Sequence, residues 1–146
     1  MKNTWFLIAH RGGARVFERK GPGKVLDLLQ DIPHPEGRLK SKDLGSDEPG
    51  RSFDSHGARH SFQQEQEPAA HVAEVFAKRL AGILEDGRAG RRYGRLVLVA
   101  EPHFLGILRH ALSRETAALV TAVVNKDLGH VEAHEIPKYL HDVLQL

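Results

Sequence analysis

The apolar positions of this chain change period twice. From Thr4 to His10 the run TWFLIAH is rich in β-formers and too short for a helix, so it predicts a buried strand. RGG follows, and Gly12 and Gly13 tolerate the positive φ that a tight hairpin turn requires. Ala14 to Arg19, ARVFER, alternates small or apolar residues with charge, the pattern of a strand with one wet face. After a second turn at Gly21 to Gly23, KVLDLLQDI fits a strand or a short helix. Its place after two hairpin turns favours a third antiparallel strand.

From Pro33 to about Glu67 no period survives. A stretch of about 35 residues exceeds ordinary loop lengths and points to function, disorder or a hidden element. Helical spacing then resumes. Pro68 suits a first helical turn, with Glu65 and Glu67 at the positive end of the helix dipole. Val72, Val75, Phe76, Leu80, Ile83 and Leu84 fall on one face, and Glu74, Lys78 and Glu85 fall off it. That helix ends at EDGRAG. RLVLVAEP, Arg95 to Pro102, is a continuous apolar run typical of a central strand covered on both faces. Pro102 opens a helix carrying Leu105, Leu108 and Leu112; Leu119 to Val124 predicts another buried strand. EIPKYLHDVLQL predicts a short amphipathic C-terminal helix with Ile136, Leu140 and Val143 or Leu144 inward.

The order predicts an α/β fold: a mixed five-stranded sheet, three antiparallel strands then two parallel, with three helices. A single domain over residues 1–146 is expected, with a long polar loop at about 33–67.

Composition narrows the chemistry. The chain has no cysteine, which removes disulfides, thiolate metal sites and cysteine nucleophiles. A net charge of +2 is too small to imply nucleic-acid binding by itself. Local charge is more uneven: Lys2, Arg11, Arg15, Arg19, Lys20 and Lys24 face only Glu18, a cluster able to meet phosphate but read first as a solvated hairpin surface. The short apolar run after Lys2 does not make a signal peptide, and no run approaches the roughly 18 apolar residues of a membrane span. The expected location is the cytoplasm.

WFLIAHRGGARVFE, HPEGRLKSKDLGSDEPGRSFDS, EVFAKRLAGIL, LVLVAEPHFLGILRHAL and VNKDLGH, in this order, resemble the bacterial host attachment family, proteins required for attachment to host cells. His10 stands where that family commonly has a small acid, and Gly129 where it usually has a hydroxyl residue. The family is in turn similar, more distantly, to the central domain of archaeal and eukaryotic class-1 release factors. That resemblance implies an α/β sandwich of the RNase H-like kind. In release factors a Gly-Gly-Gln loop before a long helix helps water cleave peptidyl-tRNA. GARHSFQQEQEPAAHVAEVFAKRL stands in the corresponding place, so Gln63 and Gln64 are the candidate glutamines, although the tripeptide itself is absent.

Within the polar stretch, GRSFDS offers Arg51, Ser52, Asp54 and Ser55 as a phosphate- or sugar-binding set. The plainer alternative is a turn in which Asp54 and Ser55 satisfy local backbone. HGARH spaces His56 and His60 four apart, but Gly57 argues against a helix there and no third ligand is evident, so no metal site is expected. Arg59 with the two histidines could contact RNA or be a solvated surface. At the strand ends, Lys126 and Asp127 of NKDL are an anion contact and a carboxylate, or, the favoured reading, an ion pair and a capping turn. Glu101 and His103 of EPHFLG are candidates for acid–base work, His103 also being readable as a surface residue. Asp27, Glu101 and Asp127 lie near strand ends without a nuclease spacing. No cofactor motif is present.

Together with these residues, the resemblance implies a non-catalytic or weakly catalytic binding module engaging RNA or the translation machinery through the segment from His34 to Gln66, by way of Arg51, Ser52, Arg59, Gln63 and Gln64. Its expected partner is the ribosome or tRNA. Two alternatives stand beside it: a peptidyl-tRNA hydrolase using the glutamine loop, and a protein–protein adaptor that affects attachment indirectly.

Overall fold

β1 (Thr4–His10) lies at the centre of a five-stranded mixed sheet. The computed structural model describes residues 3–23, 25–35 and 57–144, with the backbone alone described over 57–69. β2 (Gly13–Arg19) and β3 (Asp27–Pro33) continue from β1 as an antiparallel meander. β4 (Arg95–Ala100) and β5 (Val120–Asn125) add on the other side, each parallel to its neighbour. The mixed α/β sheet expected from the hydrophobic pattern is the one observed, third antiparallel strand included. Of Gly12 and Gly13, only Gly13 takes a positive φ, at 156°, and a side chain on it would begin 2.7 Å from the carbonyl oxygen of Ile32.

Two cores lie on opposite faces of the sheet, and alternation along the strands feeds both. Trp5, Leu7 and Ala9 of β1 with Leu96, Leu98 and Ala100 of β4 face α1 (Gly57–Ala89) and α2 (Pro102–Ala111). Phe6, Ile8, Val97 and Val99 face the C-terminal segment through Leu128, Ile136, Leu140 and Leu144. Covering on both faces explains why β1 and β4 are apolar without interruption.

Several expectations are corrected. The presumed wet face of β2 is covered by the C-terminal segment: Arg15 Nη2 donates to the Leu128 carbonyl at 2.9 Å and Arg19 Nη1 to the Leu144 carbonyl at 2.9 Å. Their guanidinium groups also lie over the Phe17 and Phe6 rings, so these charges serve packing rather than a solvated hairpin. β5 is half-buried, not buried, because it forms a sheet edge. The C-terminal helix is broken into a 3₁₀ turn (Ala133–Glu135), α4 (Ile136–Tyr139) and α5 (His141–Leu144). Leu140 leaves helical geometry at φ −114° and ψ 23°, yet Ile136, Leu140 and Leu144 all stay buried. A further one-turn helix, α3 (Arg114–Ala117), precedes β5.

The largest difference is where α1 begins. It starts at Gly57, eleven residues before the turn assigned to Pro68, so Pro68 lies inside a helix of 33 residues. The first three turns carry no apolar stripe and show no period, although Gln and Glu are good helix formers. Gly57 at the end of a helix loses little by lacking a side chain. Pro68, by contrast, offers no N–H to the carbonyl of Gln64. At about 1.5 Å per residue α1 is roughly 50 Å long, about twice the length of a seven-residue strand. The face it buries runs through Ala73, Phe76, Ala77, Leu80 and Leu84, so Val75, expected inward, is 51% exposed. Small residues turned inward bring helix and sheet together, and a pattern weighted by large side chains misplaces the stripe.

Candidate functional site

The polar segment is rooted in the core at its beginning. His34, read from sequence as the start of a loop, is buried and stacks on Phe76 of α1, with ring centroids 3.9 Å apart and planes 2° from parallel. Its backbone N–H donates to the Gly12 carbonyl at 2.9 Å, and its Nδ1 lies 3.2 Å from the Arg11 carbonyl oxygen. Phe76 in turn packs on Phe104 of α2 at 5.9 Å. The chain therefore departs from one fixed point where the hairpin turn, α1 and α2 meet, and it returns at Gly57 as the first turn of that same α1.

Arg51, Ser52, Asp54, Ser55 and His56 lie outside the described residues. Arg59, His60, Gln63 and Gln64 fall on the helical backbone of α1, and their side chains lie outside the described residues. Helical backbone at Gln63 and Gln64 changes what they can do. Past the first turn of a helix, backbone N–H groups are engaged by carbonyls four residues earlier. A hydrolase reading needs the N–H of such a glutamine aimed at a reacting ester. The helix removes that geometric basis, and it also answers the objection that Gly57 raised to a helix at HGARH.

The carboxyl ends of the parallel strands carry the remaining candidates, and each is engaged locally. Glu101 is the N-cap of α2: its carboxylate accepts from the Phe104 N–H at 2.6 Å and the His103 N–H at 3.1 Å. Lys126 Nζ donates to the Tyr139 carbonyl at 2.8 Å, and Asp127 Oδ1 accepts from the Gly129 N–H at 3.0 Å. The turn-capping role of Asp127 holds, while the Lys126 contact is to backbone rather than to Asp127. Asp27 is exposed at the start of the edge strand β3, away from Glu101 and Asp127 across the sheet. These carboxylates do not converge.

His103 is exposed and lines a groove of about 490 Å³ between α1 and α2, together with Glu74, Lys78, Ile107 and His110. Among the described residues no three His, Asp or Glu side chains are grouped so as to hold a metal ion. No helix among them is long and apolar enough to cross a membrane.

One cluster escaped the sequence pattern. Glu85, which falls off the apolar stripe of α1, accepts from Ser113 Oγ at 2.7 Å and Thr116 Oγ1 at 2.8 Å and pairs with Arg88. Those three hydrogen bonds, Arg88 first, hold its carboxyl down at about 2. Ser113 also caps α3 by accepting from the Thr116 N–H at 3.1 Å. The signal available was the Ser-x-x-Thr spacing before a helical turn; its carboxylate partner, 28 residues earlier, was not visible.

Among curated proteins none matches the chain. The model of a family described as protein required for attachment to host cells matches residues 5–140, from the central strand to the last helical turns. The chain belongs to that host attachment family.

Proposed function

We propose that this protein is a binding module for RNA, acting in the cytoplasm as one domain and engaging the translation machinery through the segment from His34 to Gln66. The observation that supports this reading is the stack of His34 on Phe76. A polar segment rooted on a rigid scaffold is a common way to carry recognition residues, because the scaffold offsets part of the ordering entropy of binding. Arg51, Ser52, Arg59, Gln63 and Gln64 make the contacts in this reading, with guanidinium groups on phosphate and amides on sugars and base edges. An effect on attachment is then indirect.

Co-sedimentation of the protein with ribosomes at low and high salt tests it, beside the double variant Arg51→Glu/Arg59→Glu. The expected result is pelleting that weakens with salt and is lost in the variant. Pelleting of neither protein at any salt overturns the reading and turns the search to a protein partner.

A further inference from the structure

At the far end of α1 from the polar segment, the chain reads RAGRRYGR and folds around a cavity of about 520 Å³. Asn3, Arg88, Arg91, Arg92, Tyr93 and Leu119 line it. We propose that this cavity binds a nucleotide-sized phosphate ester, with Arg91 and Arg92 holding the phosphate. A guanidinium presents its N–H donors in a planar fork that matches two phosphate oxygens. Three such groups line one cavity, and among the described residues no carboxylate lines it with them.

The three arginines are not equivalent. Arg88 is paired with Glu85 and forms a fixed wall. Among the described residues no carboxylate pairs with Arg91 or Arg92. Arg92 lies over the Trp5 ring at 5.6 Å, an arrangement that occupies the face of the guanidinium and leaves its edge donors for a ligand. Trp5 is itself held by Tyr93, stacked at 4.6 Å, so this arm rests on a rigid platform.

Arg91 supplies an independent sign. It has φ 57°, the one non-glycine residue with positive φ among the described residues. The Arg92 N–H donates to the Gly87 carbonyl and the Arg91 N–H to the Arg88 carbonyl, the paired bonds of a Schellman motif. Its left-handed position is the one helices normally give to glycine, and Gly90 stands one residue too early to fill it. An arginine kept in that conformation, beside two others in a cavity, has the character of strain retained at a ligand site.

A helix C-terminus ordinarily repels anions. Here the carbonyls of Asp86, Gly87 and Arg88 are already bonded to the N–H groups of Gly90, Arg92 and Arg91, which leaves fewer free acceptors to oppose an anion. Size favours more than a bare phosphate: the volume falls in the range of small-molecule sites, and Tyr93 and Leu119 give an apolar wall for a base or sugar.

Calorimetric titration at low salt tests the site, with AMP, adenosine and RNA oligonucleotides with and without a 5′-phosphate as probes. Wild-type protein is expected to bind AMP and not adenosine; binding of the 5′-phosphorylated RNA alone instead would identify a strand end as the source of the phosphate. Arg91→Gly is the decisive variant, because glycine suits the left-handed position. It is expected to melt no lower than wild type and to bind the phosphate probe about tenfold to a hundredfold more weakly. No binding of any phosphate probe by wild type, or unchanged binding by Arg91→Gly, overturns the proposal. Ribosome pelleting is a separate readout carried by Arg51 and Arg59, so either idea can fail alone.

Discussion

Gly129 lies against the His10 ring so closely that the first carbon of a side chain there would fall 2.5 Å from the ring. The two residues come from distant parts of the chain and meet as one packing unit. His10 ends the central strand, and its Nδ1 accepts from the Gly12 N–H at 3.1 Å, which fixes the ring. The Gly129 N–H is fixed in turn by Asp127. Neither neighbour can move away without breaking a hydrogen bond.

Gly129→Ser is therefore expected to destabilise the protein by about 1–3 kcal/mol, as overpacking does. In a His10→Ala background the same change should lose less than half as much. Urea denaturation of the four proteins of this cycle measures the difference. Equal penalties in both backgrounds would show that ring and glycine are independent.

Acid should find Glu85. Its folded pKa is lowered from 4.5 to about 2, so its contribution to stability is complete above the unfolded value and is lost as pH falls from about 4.5 towards 2. Glu85→Gln removes that part of the slope. Chemical denaturation at pH 5, 4 and 3 (in matched salt) is expected to give a shallower loss for the variant; parallel curves would contradict the assignment.

Tyr93 titrates in the opposite sense. Burial first, then the nearby Glu85 charge, raises its phenol to about 12, and its hydroxyl donates to the Leu84 carbonyl at 2.6 Å. The protonated form is favoured in the folded state, so stability is complete below pH 10 and falls as pH rises from 10 towards 12. Tyrosinate absorbance should show a late transition that Tyr93→Phe abolishes, and the variant should be less stable by about 1 kcal/mol at neutral pH.

His34→Ala should lower stability by about 1–2 kcal/mol, the sum of a ring stack and one hydrogen bond. Hydrogen exchange gives the sharper readout. Protection should fall at the hairpin turn, where the chain at His34 is bonded to Gly12, and hold at Leu84 and beyond. Uniform loss along α1 would mean that His34 acts on global stability alone.

Strand content and topology were legible because β1 and β4 are apolar on both faces and the turns are marked by glycine. Short-range chemistry was legible too, as at Asp127. What failed to show was long-range. Arg15 and Arg19 looked solvated because their acceptors, the carbonyls of Leu128 and Leu144, lie 113 and 125 residues away. Glu85 looked like surface for the same reason. The start of α1 was missed on different grounds: a helix without an apolar face has no period to detect. The arginine cavity was missed because sequence shows a run of charge, not the turn that gathers it.

The central position of β1 has a consequence for how the protein is made. Its first neighbour, β2, follows at once, but its second, β4, begins only at Arg95. At about 5–20 residues per second, several seconds of synthesis separate the two. Throughout that interval a strand apolar on both faces has one unpaired side, and the segment that Arg15 and Arg19 clasp has not yet been translated. The open side of β1 is thus made well before the strand and the segment that cover it, so mispairing threatens the growing polypeptide more than the finished one.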